Sequence, residues 1–188
     1  NDILEFYKFI KGIKLLIGFN SIKYDNLIID FLVLNEEKFS NPDYDWKVLM
    51  DVFSLTDSII ASGATNYKYI DPDLRAFNEW YTSLDLYTCL LETVERKSLK
   101  QIGIILQWYR IQDLPIKPGS FIRIEDVDNI LDYNFNDVLL TRHTHIKHKD
   151  EVNLRIDIGN EYHLNLLSAN RSKVAEKLLS KFYAESTG

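Results

Sequence analysis

The first segment with residue types suited to chemistry runs from Gly18 to Asp25, with the sequence GFNSIKYD. It follows an apolar run that is predicted to be a strand, and Asp25 stands where a helix is predicted to begin. Because sites in open α/β sheets form where strands end, Asp25 is well placed to hold a hard divalent cation such as Mg²⁺ or Mn²⁺. The alternative is structural: Asp25 only caps the helix that follows it.

The second segment lies far along the chain and reads YNFNDVLLT from Tyr133 to Thr141. Tyr133 and Asp137 are four residues apart on a predicted helix, so both side chains project from one face. An aspartate that binds a metal ion and a phenol that positions a water molecule make a suitable pair for phosphodiester hydrolysis. The alternative is again structural, with a half-buried Tyr133 packed over an exposed Asp137.

The elements that must position these residues are predicted from the spacing of apolar side chains. We expect a strand buried on both faces, a strand that leads into a helix, and a third strand, at residues 13–19, 46–61 and 80–86 respectively. Helices are expected at residues 2–12, 26–35, 98–108, 124–145, 154–166 and 174–182, and a surface insertion at residues 64–77. This order predicts an α/β domain with a mixed or parallel sheet over residues 1–150 and a helical extension over residues 151–188.

Composition limits the class of protein. The chain is 46% apolar and 27% charged, which is typical of a globular protein, and its net charge of −6 argues against coating nucleic acid by bulk charge. The single Cys89 excludes a disulfide scaffold and fits a reducing cytoplasm. No charge-free stretch is long enough for a membrane span, so we expect a cytoplasmic location and no membrane partner. Packing positions, buried or partly buried, are expected for Cys89, Trp46, Trp80 and Trp108.

Together the two segments resemble the second and third motifs of proofreading 3′–5′ exonucleases, a superfamily of ribonuclease H-like fold with four acidic residues. GFNSIKYD is similar to the second motif, in which an Asn precedes an aromatic–Asp pair, and YNFND is similar to the tyrosine subclass of the third motif. The segments SLDL at 83–86 and KSLKQIG at 97–103 resemble a strand and a helix in the exonuclease domains of phage-type and family B DNA polymerases. The resemblance implies a ribonuclease H-like mixed sheet flanked by helices.

The same resemblance implies a chemistry, which is the two-metal hydrolysis of the terminal phosphodiester of single-stranded DNA with Mg²⁺ or Mn²⁺. In that chemistry Asp25 and Asp137 are metal ligands and catalytic residues, and Tyr133 orients the attacking water.

The resemblance also implies partners. They are a single-stranded DNA 3′ end and a linked or associated DNA polymerase domain, reached through residues 151–188 and active in replication of phage or mobile-element type. Phe19 and Asn20 are expected to contact the frayed strand, with Phe19 stacking on a base. Lys97 and Lys100 are expected to contact its phosphates, although such basic residues are usually only part of the surface.

The first motif of the family, an Asp-x-Glu on the opening strand, is absent upstream of Gly18. Asp25 and Asp137 alone are too few carboxylates to hold two metal ions. Since the chain begins Asn1-Asp2 without a Met, we expect an N-terminally incomplete domain that is inactive as it stands. Two alternatives stay open: a catalytically degenerate relative that serves nucleic-acid binding or protein assembly, and an α/β interaction domain whose motif matches are accidental.

Overall fold

The computed structural model describes residues 2–41, 43, 45–61, 81–91, 97–117 and 119–187. The strands are β1 (Leu15–Gly18) and β2 (Thr82–Asp85). The α-helices are α1 (Asp2–Lys11), α2 (Asp25–Leu34), α3 (Glu36–Phe39), α4 (Asp45–Ala61), α5 (Leu99–Ile105), α6 (Val127–Lys147), α7 (Lys149–Tyr162) and α8 (Arg171–Thr187). The described part is therefore a helix-rich α/β protein, as the sequence predicts. The predicted surface insertion at 64–77 and Trp80 lie outside the described residues.

The two strands form a small parallel sheet. Leu15 pairs with Thr82, and Gly18 at the end of β1 pairs with Asp85 at the end of β2. The parallel direction confirms the expectation from the apolar run, but the expectation of burial on both faces is wrong. Leu15 is 42% exposed and Ile17 is 37% exposed. The described sheet has two strands, so one face of β1 has too little neighbouring structure to cover it.

The chain divides into two compact units, Asn1–Asp85 and Leu86–Gly188. The first unit contains α1 to α4 and both strands, and the second contains α5 to α8. The sequence predicts a domain boundary after residue 150. In the structure this position lies within α7, inside the second unit.

The core of the first unit lies between α2 and α4. Leu27 of α2 is buried against Leu55 and Ile59 of α4, and partly buried side chains surround this contact. The expectation of a strand at the start of the segment 46–61 is wrong, since the whole segment belongs to α4. Its apolar residues recur with the helical period of about 3.6 residues, and this allows Leu55 and Ile59 to face the core together.

Trp46 does not take the packing position that we expected. It lies in the first turn of α4 and is 65% exposed. The face of α4 that contacts α2 is occupied by Leu55 and Ile59, nearer its other end. Trp108 and Cys89 do take packing positions: Trp108 is half-buried and Cys89 is buried.

In the second unit, α5 packs closely against α6. A β-carbon added at Gly103 of α5 would lie 2.9 Å from a methyl group of Leu140 on α6. A larger residue at this position would force the Leu140 side chain to shift, so the glycine allows α5 and α6 to pack closely without rearrangement.

None of the helices in the described residues is both long enough and apolar enough to cross a membrane.

Candidate functional site

The first part of the candidate site is the turn that follows β1, which we call the Asn20 turn and define as residues 18–22. Because β1 and β2 are parallel, their carboxyl ends meet at one edge of the sheet, and this brings Asp85 beside the turn. Asn20 has a left-handed backbone conformation, with φ 59° and ψ 26°. Asn tolerates this conformation better than most residues that carry a β-carbon.

The turn also comes very close to the end of β1. A β-carbon added at Gly18 would lie 2.4 Å from the β-carbon and the hydroxyl oxygen of Ser21. Real β-carbons are never found so close to another side chain, so position 18 requires glycine. Ser21 is buried, whereas Asn20 is exposed and Phe19 is half-buried. The turn therefore leaves the Asn20 side chain accessible to solvent.

Asp85 is the residue in this region whose role sequence reasoning missed. It is fully buried, and its Oδ1 accepts a hydrogen bond from the backbone N–H of Asn20 at 2.8 Å. Its Oδ2 accepts a second from the backbone N–H of Ile22 at 3.2 Å. The signal in the sequence is a carboxylate between two apolar residues of a buried strand, Leu84-Asp85-Leu86, because a buried charge needs partners.

Asp25 is the first residue of α2, three positions after the end of the Asn20 turn. The N-cap position belongs to Tyr24, which makes no side-chain cap hydrogen bond, so the capping role considered for Asp25 is not the one it has. Next to it, the Asn26 side chain donates a hydrogen bond to Ser83 Oγ at 2.7 Å, tying the start of α2 to β2. Asp25 itself is exposed.

The environment of Asp25 disfavours its charge. Partial desolvation raises the pKa of its carboxyl group, and the negative charge of Asp85 raises it further, while its own backbone N–H acts in the opposite direction. A nearby cation would reverse this effect, since it would favour the carboxylate. Asp25 is therefore an accessible oxygen donor whose ionised form gains from a positive partner.

The second part of the candidate site is the pair of Tyr133 and Asp137 on α6. Both are half-buried, and the Tyr133 hydroxyl donates a hydrogen bond to the Asp137 carboxylate. Burial raises the pKa of both groups, and the charge of Asp137 raises that of Tyr133 further. The hydrogen bond from Tyr133 partly lowers the pKa of Asp137. The prediction that these two side chains share one helix face is confirmed.

A third residue of the same helix, Asn136, ties α6 to the loop after α5. It is buried, its Oδ1 accepts a hydrogen bond from Trp108 Nε1 at 3.0 Å, and its Nδ2 donates to the Arg110 carbonyl at 3.2 Å. Arg110 in turn pairs with Asp132 through both guanidinium nitrogens of the fork. These contacts fix the rotation of α6, so they determine where Tyr133 and Asp137 point.

Lys97 and Lys100, the basic residues expected to contact phosphates, are both half-buried and belong to the second unit. Lys100 forms an ion pair with Asp113. An exposed ion pair of this kind contributes little stability, so a phosphate can compete with Asp113 for the ammonium group.

The residues of the candidate site divide between the two units. Phe19, Asn20 and Asp25 belong to the first unit, and Tyr133 and Asp137 belong to the second. The convergence of Asp25 and Asp137 on one cation stays a prediction. Within the described part of the chain, no group of three or more His, Cys, Asp or Glu side chains could hold a metal ion. The donors of these two segments do not fit a complete two-metal centre.

Comparison with known proteins adds no relative: no protein-family model, no curated protein and no solved structure matches this chain.

Proposed function

We propose that this chain is part of a 3′–5′ proofreading exonuclease domain of ribonuclease H-like fold, attached to or associated with a DNA polymerase of phage or mobile-element type. In this proposal the chain binds the single-stranded 3′ end of DNA in the cytoplasm and does not cleave it by itself, because it lacks the Asp-x-Glu motif. Asp25 and Asp137 are the two metal-ligand positions that it contributes to the site.

The observation that carries the proposal is the position of the Asn20 turn. An exposed Asn20 and an accessible Asp25 follow each other at the carboxyl edge of a parallel sheet, where open α/β folds place their sites. This is the order of polar groups that the second exonuclease motif requires. The hydrogen-bonded pair of Tyr133 and Asp137 supports the proposal independently, because a phenol held beside a carboxylate suits the third motif.

The proposed binding mode assigns different tasks to the residues. Phe19 stacks on the terminal base and Asn20 hydrogen-bonds the nucleotide, while Lys97 and Lys100 neutralise phosphates. Tyr133 has its proton at neutral pH, since its pKa is raised, so it acts as a hydrogen-bond donor at the site. A net charge of −6 keeps non-specific binding to duplex DNA weak.

The test is binding of a fluorescein-labelled oligo(dT) of about ten nucleotides, measured by fluorescence anisotropy on the full chain, with duplex DNA of equal length as competitor. We expect the single strand to bind more tightly than the duplex. Phe19→Ala should weaken binding about tenfold, since base stacking is worth about 1–3 kcal/mol, and Asn20→Ala should weaken it about fivefold, since a hydrogen bond is worth about 1 kcal/mol. Phe121→Ala is the control, because Phe121 is also an exposed aromatic side chain but lies outside the proposed site. Equal affinity for both DNA forms, or no binding, would contradict the proposal and leave the assembly and interaction-domain alternatives.

The metal-ligand assignment has its own test, which does not depend on activity. Mn²⁺ broadens NMR signals of nearby nuclei, so titration with Mn²⁺ should broaden the amide signals around Asp25 and around Asp137. Asp25→Asn and Asp137→Asn should each abolish the broadening at the substituted position, whereas the exposed Asp128→Asn should leave both unchanged. Broadening spread evenly over all exposed carboxylates would contradict the assignment.

A further inference from the structure

The turn that presents Phe19 and Asn20 is held by one buried carboxylate from a distant part of the first unit. Asp85 is 65 residues from Asn20 in sequence, and its side chain is 0% exposed. Its two oxygens each accept a backbone N–H of the turn, from Asn20 and from Ile22. Hydrogen bonds to an ionised acceptor are the strong ones, and a buried carboxylate depends on them for its own stability.

Few other interactions stabilise the conformation of the Asn20 turn. Asn20 is held in a left-handed conformation, which costs free energy for any residue with a β-carbon. The hydroxyl of Ser21 is buried and has no hydrogen-bond partner among the described residues, so it does not help to hold the turn. Asp85 is thus the group that offsets the cost of this conformation.

The left-handed conformation of Asn20 determines the direction of the side chains around it. Phe19 precedes the left-handed residue, the exposed Asn20 is that residue, and α2 begins five residues later at Asp25. A return of Asn20 to an ordinary backbone conformation would redirect its side chain and move the start of α2. A buried group that does not reach the surface therefore determines where the exposed groups point.

We propose that Asp85 is a positioning residue, which fixes the Asn20 turn so that Phe19 and Asn20 meet a single-stranded DNA end. This inference rests on the proposed function. In this role Asp85 acts through the two backbone N–H groups and does not touch the DNA.

The experiment uses the full chain with Asp85→Asn, which keeps the size of the side chain but replaces one acceptor oxygen with a donor NH₂. Asp30→Asn is the matched control, because Asp30 is a second buried carboxylate of the same unit and accepts its hydrogen bond from Tyr81 instead of from the turn. If Asp85→Asn does not fold, Asp85→Ser takes its place, since its hydroxyl keeps one acceptor without the repelling NH₂ group.

Two measurements are made on each variant. The first is amide hydrogen exchange by NMR at Asn20 and Ile22, with the buried core residue Ile59 of α4 as internal reference. The second is the affinity for the same oligo(dT). For Asp85→Asn we expect exchange at Asn20 or Ile22 to become at least about tenfold faster with unchanged protection at Ile59, and oligo(dT) affinity to fall about tenfold. For Asp30→Asn we expect wild-type values of both.

A triple substitution separates positioning from general damage. If Asp85 acts through Phe19 and Asn20, then adding Asp85→Asn to the Phe19→Ala/Asn20→Ala variant weakens oligo(dT) binding no further, because the groups that Asp85 positions are already gone. Additive losses, or an Asp85→Asn variant that binds like wild type, overturn the positioning role and leave the proposed function intact. A wild-type chain that does not bind oligo(dT) overturns both, and this outcome is recognised without any variant.

Discussion

The Asn20 turn and the middle of α6 place their polar side chains by different kinds of contact. The turn takes its shape from Asp85, which is 65 residues away in sequence and reaches it only because β1 and β2 pair in parallel. Tyr133 and Asp137 need no distant partner to meet, because one turn of a helix brings them together. The first region is therefore sensitive to substitutions elsewhere in its unit, and the second to substitutions in the helix itself.

The largest expected effect concerns pH and the unit that contains the Asn20 turn, where Asp30 of α2 is a buried carboxylate. Burial raises the pKa of Asp30 to about 6 from 3.8, while the hydrogen bond from Tyr81 acts in the opposite direction. The folded chain thus holds this proton more tightly than the unfolded chain. The contribution of Asp30 to stability is full below the unfolded pKa and is lost as the pH rises through about 6, a loss on the order of 3 kcal/mol.

Urea unfolding at about pH 4 and about pH 7 checks this prediction. We expect Asp30→Asn to remove that part of the pH dependence, because Asn resembles the protonated carboxyl group and does not ionise. The variant should be about as stable as wild type at the lower pH and more stable at the higher pH. Two parallel curves of stability against pH for wild type and Asp30→Asn would show that Asp30 does not titrate in this range.

Gly18→Ala should have the second largest effect, because it disrupts the Asn20 turn. The added methyl group would lie 2.4 Å from the Ser21 side chain, and the turn cannot relax without giving up the Asp85 hydrogen bonds. We expect a loss of about 2 kcal/mol in the free energy of unfolding, as for overpacked interiors, measured by urea denaturation. Gly12→Ala is the control, since its methyl group would meet only backbone oxygens at 3.4 Å or more. Equal stability of the two variants would contradict the close approach at Gly18.

In the second region, Asn136→Ala is the substitution with the largest expected cost. It leaves Trp108 Nε1 and the Arg110 carbonyl without their partner, which costs about 1–2 kcal/mol. Asn134→Ala changes the same residue type two positions earlier on an exposed face of α6, so it provides the comparison. Thermal unfolding should separate the two variants, and identical melting temperatures would show that Asn136 does not fix α6.

Tyr133→Phe should give the smallest effect, which is a change in the pKa of Asp137. The hydroxyl lowers the pKa of Asp137, so its removal at constant side-chain volume should raise that pKa further. NMR titration of the Asp137 carboxyl carbon measures the shift, and Tyr109→Phe, which alters an exposed tyrosine in the loop after α5, should leave it unchanged. An unchanged or lower pKa of Asp137 in Tyr133→Phe would mean that the hydroxyl does not donate to it.

Sequence reasoning worked best where the structure is local. The helical spacing of Tyr133 and Asp137 was sufficient to place them on one face, and the apolar run before Gly18 was sufficient to predict a strand in a mixed or parallel sheet. It failed where exposure depends on what else is nearby. Trp46 and Leu15 are large apolar side chains that the pattern assigned to the interior, yet both are exposed.

The sequence by itself determined the periodicities, and with them most helices, both strands and the shared face of Tyr133 and Asp137, because these depend on residues at most a few positions apart. The tertiary structure decided the rest. Asp85 is an ordinary strand residue in the sequence, and only the parallel register of β2 with β1 brings its carboxylate to the backbone of Asn20 and Ile22. A contact between residues so far apart follows from the packing of whole elements, and no local pattern encodes it.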